Sequence, residues 1–161
     1  VNVDHSYSVS VEWTGNRGTG TSAYRAYGRD LTLSSDGKTA VIEGSADPVF
    51  FGSAERWNPE ELLLGALSQC HLLSYLYVAA SRGVIVERYA DAASGTVVQT
   101  DAGGGHFTEV TLRPIVHISA GDPKLAFDLH AEASAKCFIS ASVNFPVRHE
   151  PRILVLDDPL A

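Results

Sequence analysis

Tyr7-Ser8-Val9-Ser10-Val11-Glu12-Trp13 alternates with period two and runs into Thr14-Gly15-Asn16-Arg17-Gly18-Thr19-Gly20, which predicts a strand ending in a glycine-rich turn. Strand-like stretches recur around Ala23 to Leu33 and Thr39 to Glu43, separated by the turn signal Ser34-Ser35-Asp36-Gly37. A strand meander is therefore expected over residues 5–45. The pattern changes at Asn58-Pro59-Glu60-Glu61, where a capping side chain, a proline at the first helical position and two carboxylates in the first turn precede apolar residues at helical spacing. This predicts a helix over 59–82 stopped by Gly83, about 24 residues and roughly 36 Å long. Beyond it, strands within 84–118 form a hairpin joined through Thr100 to Gly105, Asp122-Pro123 opens a second helix over 123–143, and 152–156 closes as a last strand. Strands, long helix, strands, helix, strand is the order of an α+β fold, expected as a single domain over 1–161.

Composition narrows the function. Hydrophobic residues at 45% and charged residues at 19% supply enough apolar material for a core. The net charge of -7 and the lack of any Lys/Arg-rich run argue against a nucleic-acid partner, because phosphate neutralisation needs clustered cations. The longest apolar run, Leu62 to Leu67, is followed by Ser68, Gln69 and His71 and falls short of the roughly 20 residues of a bilayer span, so no membrane segment is expected. Val1 to Ser6 has neither the basic nor the apolar stretch of a secretory signal, and a cytoplasmic setting is the expectation. There, cysteines serve as free, metal-bound or redox-active thiols more often than as a permanent staple.

The chain has two cysteines, Cys70 and Cys137. Leu63, Ala66, Leu67, Cys70, Ser74 and Tyr77 recur at helical spacing, which places Cys70 on or beside the apolar stripe of the first helix, with His71 one position round. Cys137 falls in the second helix, seven residues after His130. An inert core cysteine is the simple reading of a thiol in such a stripe. Two helices packed on one sheet can bring two thiols within disulfide reach, which requires Cα atoms within about 7 Å, but spacing alone does not establish the pairing. Cys70, His71, His130 and Cys137 form a Cys2His2 donor set on paper, but zinc sites favour closely spaced pairs, and Cys70 and His71 diverge on a helix; no metal is expected. Gly103-Gly104-Gly105 lacks the lysine and the following helix of a phosphate cradle and reads as a hairpin tip.

The run Asn58-Pro59-Glu60-Glu61-Leu62, with Cys70 ten residues after Glu60 and the later Ala133-x-x-x-Cys137, resembles the OsmC/Ohr family of thiol peroxidases over nearly the whole chain. The Thr14 to Gly20 turn is similar to the arginine-bearing turn of the family's organic hydroperoxide resistance branch. The resemblance implies an OsmC-like fold, antiparallel sheets with two long helices, assembled as an intertwined homodimer. It also implies reduction of organic hydroperoxides without a cofactor: Cys70 attacks the peroxide and becomes a sulfenic acid, Cys137 captures it as a disulfide, and a dithiol, often of lipoyl type, restores both.

A thiol of pKa about 8.5 is mostly protonated at neutral pH, so Cys70 needs a cation beside it. Arg17 is the first candidate, and Glu60, the matching family position, would hold the guanidinium through a bidentate bond. Phe50 stands about where the OsmC branch has a strand arginine, leaving Arg25, Arg29 and Arg56 as alternatives, and Phe138 replaces a proline common after the second cysteine. These departures suggest a divergent branch. Ten residues of helix separate Glu60 from Cys70 by about 15 Å, so each site is expected to take Cys70 from one subunit and Glu60 from another. Phe50, Phe51, Trp57, Tyr75 and Tyr77 are expected in packing or in an apolar pocket wall. The competing class is a non-catalytic binder of small apolar ligands, or a stress protein, with inert core cysteines on the same scaffold.

Overall fold

A computed structural model describes residues 3–156. The expected limits of 1–161 extend further at both ends, where Val1, Asn2 and residues 157–161 lie outside the described residues. The fold is α+β, and the chain packs as two compact units that meet in sequence at Leu62/Leu63, four residues into the first helix.

In the first unit, β1 (Ser10–Trp13), β2 (Leu31–Ser34) and β3 (Ile42–Gly44) form an antiparallel meander in that order. The strand expected over Ala23 to Leu33 is confined to its last residues, because 23–30 form turns closed by the Arg29 side chain on the carbonyls of Tyr24 and Tyr27. Gly15 and Gly28 face each other across this loop, with the Gly28 N–H donating to the Gly15 carbonyl at 2.7 Å. A Cβ on Gly15 would lie 2.0 Å from the Gly28 carbonyl oxygen, so the approach requires glycine. A 3₁₀ turn over Pro48–Phe50 follows, and Trp57 joins β3 through Ser45 N–H to its carbonyl at 2.9 Å.

Helix α1 (Pro59–Ser81) starts where the sequence predicts. The Glu61 N–H donates to Asn58 Oδ1 at 2.8 Å while Glu61 Oε2 accepts from the Asn58 N–H at 3.2 Å, a reciprocal capping box. Replacing Asn58 with Ala is expected to cost about 1 kcal/mol, read as a lowered denaturation midpoint with α1 otherwise intact. The stop is Gly83, at φ +73°. By length and composition α1 could cross a membrane, a property the run Leu62 to Leu67 did not suggest; Leu67, His71, Tyr75, Val78 and Ala79 are instead buried in the fold.

The second unit holds most of α1, then β4 (Ile85–Asp91), β5 (Ser94–Gln99), β6 (Gly105–Leu112), β7 (Pro114–Ala120), α2 (Pro123–Lys136), β8 (Val147–His149) and β9 (Arg152–Val155). The expected hairpin is present, but each arm is broken in two, giving one sheet in the order β4-β7-β9 and another in the order β5-β6-β8. Pro114, lacking an N–H, interrupts the ladder at the break. Asp91 secures the corner, accepting from the Arg113 N–H at 2.6 Å and from Ser68 Oγ at 2.5 Å. The antiparallel pairs β4-β7 and β5-β6 are each extended to a mixed sheet, because β8, which the sequence did not reveal, and β9 return after α2 and pair in parallel with β6 and β7.

One core cluster joins Tyr75, Val78 and Ala79 of α1 to Val116 and Ile118 of β7 and to Ala126, Leu129 and Ala133 of α2. A second gathers Leu67, Val110 and Leu112, flanked by Ile139, Val143 and Phe145. This second cluster explains why α2 stops at Lys136 rather than running to 143. The chain leaves the helix so that Ile139, Val143 and Phe145 can reach it, and Ser142 Oγ secures the turn on the Phe138 carbonyl at 2.7 Å.

Candidate active site

Burial along α1 is rotated from the stripe expected on sequence. His71 lies in the core, Cys70 is half-buried beside it, and Tyr77 is 67% exposed. The helix is apolar on nearly every side, so spacing alone does not fix its buried face. Cys137 is the C-cap of α2, in extended conformation and 2% exposed, not an interior helix residue. Both cysteines are free thiols. The Cys137 thiol is pushed up to about 11, first by burial and then by the neighbouring Cys70 thiol. The Ser140 N–H at 3.4 Å from Cys137 Sγ acts in the opposite direction. One cysteine is half-buried and the other is buried with a raised thiol.

His71 and His130, weighed on sequence only as metal donors, belong to a buried aromatic cluster. His71 Nε2 and His130 Nδ1 meet at 3.0 Å, the His149 ring packs 4.2 Å from His71, and the Tyr75 ring stacks 4.0 Å from His130. Burial lowers His71 to about 3 and His130 to about 4. The available signal was positional: each histidine lies at a core position of a cysteine-bearing segment, His71 beside Cys70 and His130 seven residues before Cys137.

Among the candidate cations of the first unit, Arg29 is the most organised. Its guanidinium donates to the Tyr27 carbonyl at 2.6 Å and the Tyr24 carbonyl at 2.8 Å, and lies 4.1 Å from the Tyr27 ring centroid. Arg29 and Glu60 help line a pocket of about 350 Å³ whose apolar wall includes Trp13, Tyr27, Leu31 and Phe50. Arg17 is exposed beside Gly28 and is not part of this lining. Arg56 is engaged elsewhere, 3.5 Å from Glu43 and 3.9 Å from Asp30, while Arg25 packs over Phe51 at 4.7 Å. Phe51 has φ +63°, a conformation unfavourable for a bulky residue, and this turns its ring beneath Arg25 and Arg29. Glu60 forms no ion pair with Arg17 or Arg29 among the described residues.

Residues 52–152 match the family model described as OsmC-like protein. The chain belongs to the OsmC-like family. An OsmC-like protein of unknown function from Vibrio cholerae O1 biovar eltor is 30% identical and superposes with a TM-score of 0.82, covering 92% of this chain and 100% of its own. An organic hydroperoxide resistance protein from Elizabethkingia anophelis shares the fold at 17% identity and a TM-score of 0.69, over 97% of this chain and 100% of its own. The uncharacterized protein YmaD of Bacillus subtilis is 25% identical over 144 residues, 87% of each chain. The OsmC-like fold inferred from the cysteine motif is thereby established.

Proposed function

We propose that this OsmC-like protein reduces organic hydroperoxides through Cys70 and Cys137. The observation that carries the reading is the inequality of two adjacent free thiols, one half-buried and one buried with its thiol pushed up to about 11. The Cys70 thiolate attacks the distal peroxide oxygen, the O–O bond breaks, and the leaving alkoxide takes a proton to become the alcohol. Cys137 sulfur then attacks the Cys70 sulfenic acid and displaces water, forming a disulfide that a dithiol, of lipoyl type by family resemblance, reduces in the cytoplasm. One equivalent of cumene hydroperoxide should consume both thiols and yield an intramolecular disulfide, detected by mass and thiol titration. Persistent thiols would defeat this reading and favour the ligand-binding alternative.

Activation is proposed to come from the Arg29–Glu60 pocket of a second subunit. Leu73 and Tyr77 of α1, 63% and 67% exposed, support an apolar dimer contact. Arg29, rather than Arg17, combines a fixed guanidinium with an apolar pocket suited to an organic peroxide. Arg29→Ala is expected to slow peroxide consumption about 10- to 100-fold, the scale of one lost charge-assisted hydrogen bond, whereas Arg17→Ala changes it little. Stopped-flow assays of the two variants decide between them, and a larger loss in Arg17→Ala would return the role to the turn. Sedimentation showing only monomers would remove the shared site.

A further inference from the structure

The His71–His130 contact joins the two segments that carry the thiols. His71 adjoins Cys70 on α1, and His130 lies on α2, whose C-cap is Cys137. They are 1% and 3% exposed and share one hydrogen bond of 3.0 Å. Two neutral imidazoles offer one N–H···N bond, so in either tautomeric arrangement one bare nitrogen and one N–H remain over. Those atoms are His71 Nδ1 and His130 Nε2, both buried without a partner among the described residues.

Each orphaned group carries a desolvation cost that no hydrogen bond offsets, so apolar side chains would make this contact more stable. What a hydrogen bond adds is direction: it fixes the rotation and sliding of α1 against α2, which apolar packing constrains less closely. Tyr75 reinforces the same junction, its hydroxyl donating to the Ala126 carbonyl at 2.9 Å. The other titratable groups around the pair are His149 of β8 and Tyr89 of β4, with Asp91 near both and itself held by Ser68 and the Arg113 N–H.

We propose that His71 and His130 are positioning residues for disulfide closure, their hydrogen bond setting the register of α1 and α2 that lets Cys137 reach the Cys70 sulfenic acid. This rests on the peroxidase reading above. Neither histidine touches the peroxide, so the first chemical step does not depend on them.

The experiment separates the two steps in the full-length protein. After rapid mixing with cumene hydroperoxide, sulfenic acid is trapped with dimedone and disulfide closure is followed by quenched-flow mass analysis. The variant His71→Leu/His130→Leu is expected to fold with an unchanged or raised denaturation midpoint and to form sulfenic acid at the wild-type rate, yet to close the disulfide about tenfold or more slowly, as expected for misplaced reacting atoms. His71→Gln, which can still bond to His130, should restore closure to near the wild-type rate. Wild-type closure in a folded double variant would overturn the proposal. If the double variant does not fold, His71→Asn, too short to reach His130, takes its place and is read in the same way. Should wild-type protein form no sulfenic acid, the peroxidase reading fails separately, and dithiothreitol redox buffers then measure the Cys70–Cys137 pairing constant. A pairing constant about tenfold lower in the variant supports positioning, and an equal one overturns it.

Discussion

Cys70→Ser is expected to reduce hydroperoxide consumption to the level of buffer, a loss of about a thousandfold or more, because a serine hydroxyl is neither appreciably ionised at neutral pH nor nucleophilic toward peroxide oxygen. Cys137→Ser should behave differently. Its Cys70 remains free to attack, so the first turnover proceeds, but with no second thiol the sulfenic acid advances to sulfinic acid under excess peroxide. The asymmetry follows from position: Cys137 is 2% exposed with its thiol pushed up to about 11, while Cys70 is only half-buried. Mass analysis after one and after ten equivalents of peroxide checks both variants. If Cys70→Ser still consumed peroxide while Cys137→Ser did not, the roles would be exchanged.

What made the fold readable was punctuation. Asn58-Pro59 and Asp122-Pro123 mark helix starts through side-chain caps and a proline at the first position, local signals that packing had no reason to override. Gly83 stops α1 through a positive φ. The errors arose where non-local contacts decide. The helical pattern past Lys136 gives way because Ile139, Val143 and Phe145 have a core to fill, and β8 exists because β6 offers it a free edge. Three residues of β8 are too few for an alternating pattern to be recognised.

The thiol pair was legible because cysteine is rare in this chain and both copies lie in recognisable segments. Its cation was not. Choosing among Arg17, Arg25, Arg29 and Arg56 depends on which guanidinium is fixed and where it faces, and Arg29 is distinguished by bonds to the carbonyls of Tyr24 and Tyr27, which side-chain identity does not encode. The contact between His71 and His130 was hidden for a related reason. An almost uniformly apolar helix conceals which face turns inward, so the sequence did not show that His71 is buried against His130.

Acidification from pH 7 to 5 is expected to destabilise the protein by about 2–4 kcal/mol, a large part of the margin of an ordinary domain. The sign follows from protons bound. His71 and His130 are lowered from 6.5 to about 3 and about 4, chiefly by burial and further by neighbouring histidines, so both stay neutral in the fold at pH 5. Once unfolded they return to about 6.5 and take up protons, so the unfolded state binds more protons below that value and stability falls with pH. The loss begins near pH 6.5, proceeds at up to about 1.4 kcal/mol per pH unit for each histidine, and ends at the folded values. His149 is lowered in the same sense, with Asp91 opposing the shift. Urea midpoints at pH 7 and pH 5 measure the effect, and His71→Leu/His130→Leu isolates it: the double variant should be much flatter with pH than wild type. Parallel profiles for the two proteins would show that the acid sensitivity originates elsewhere.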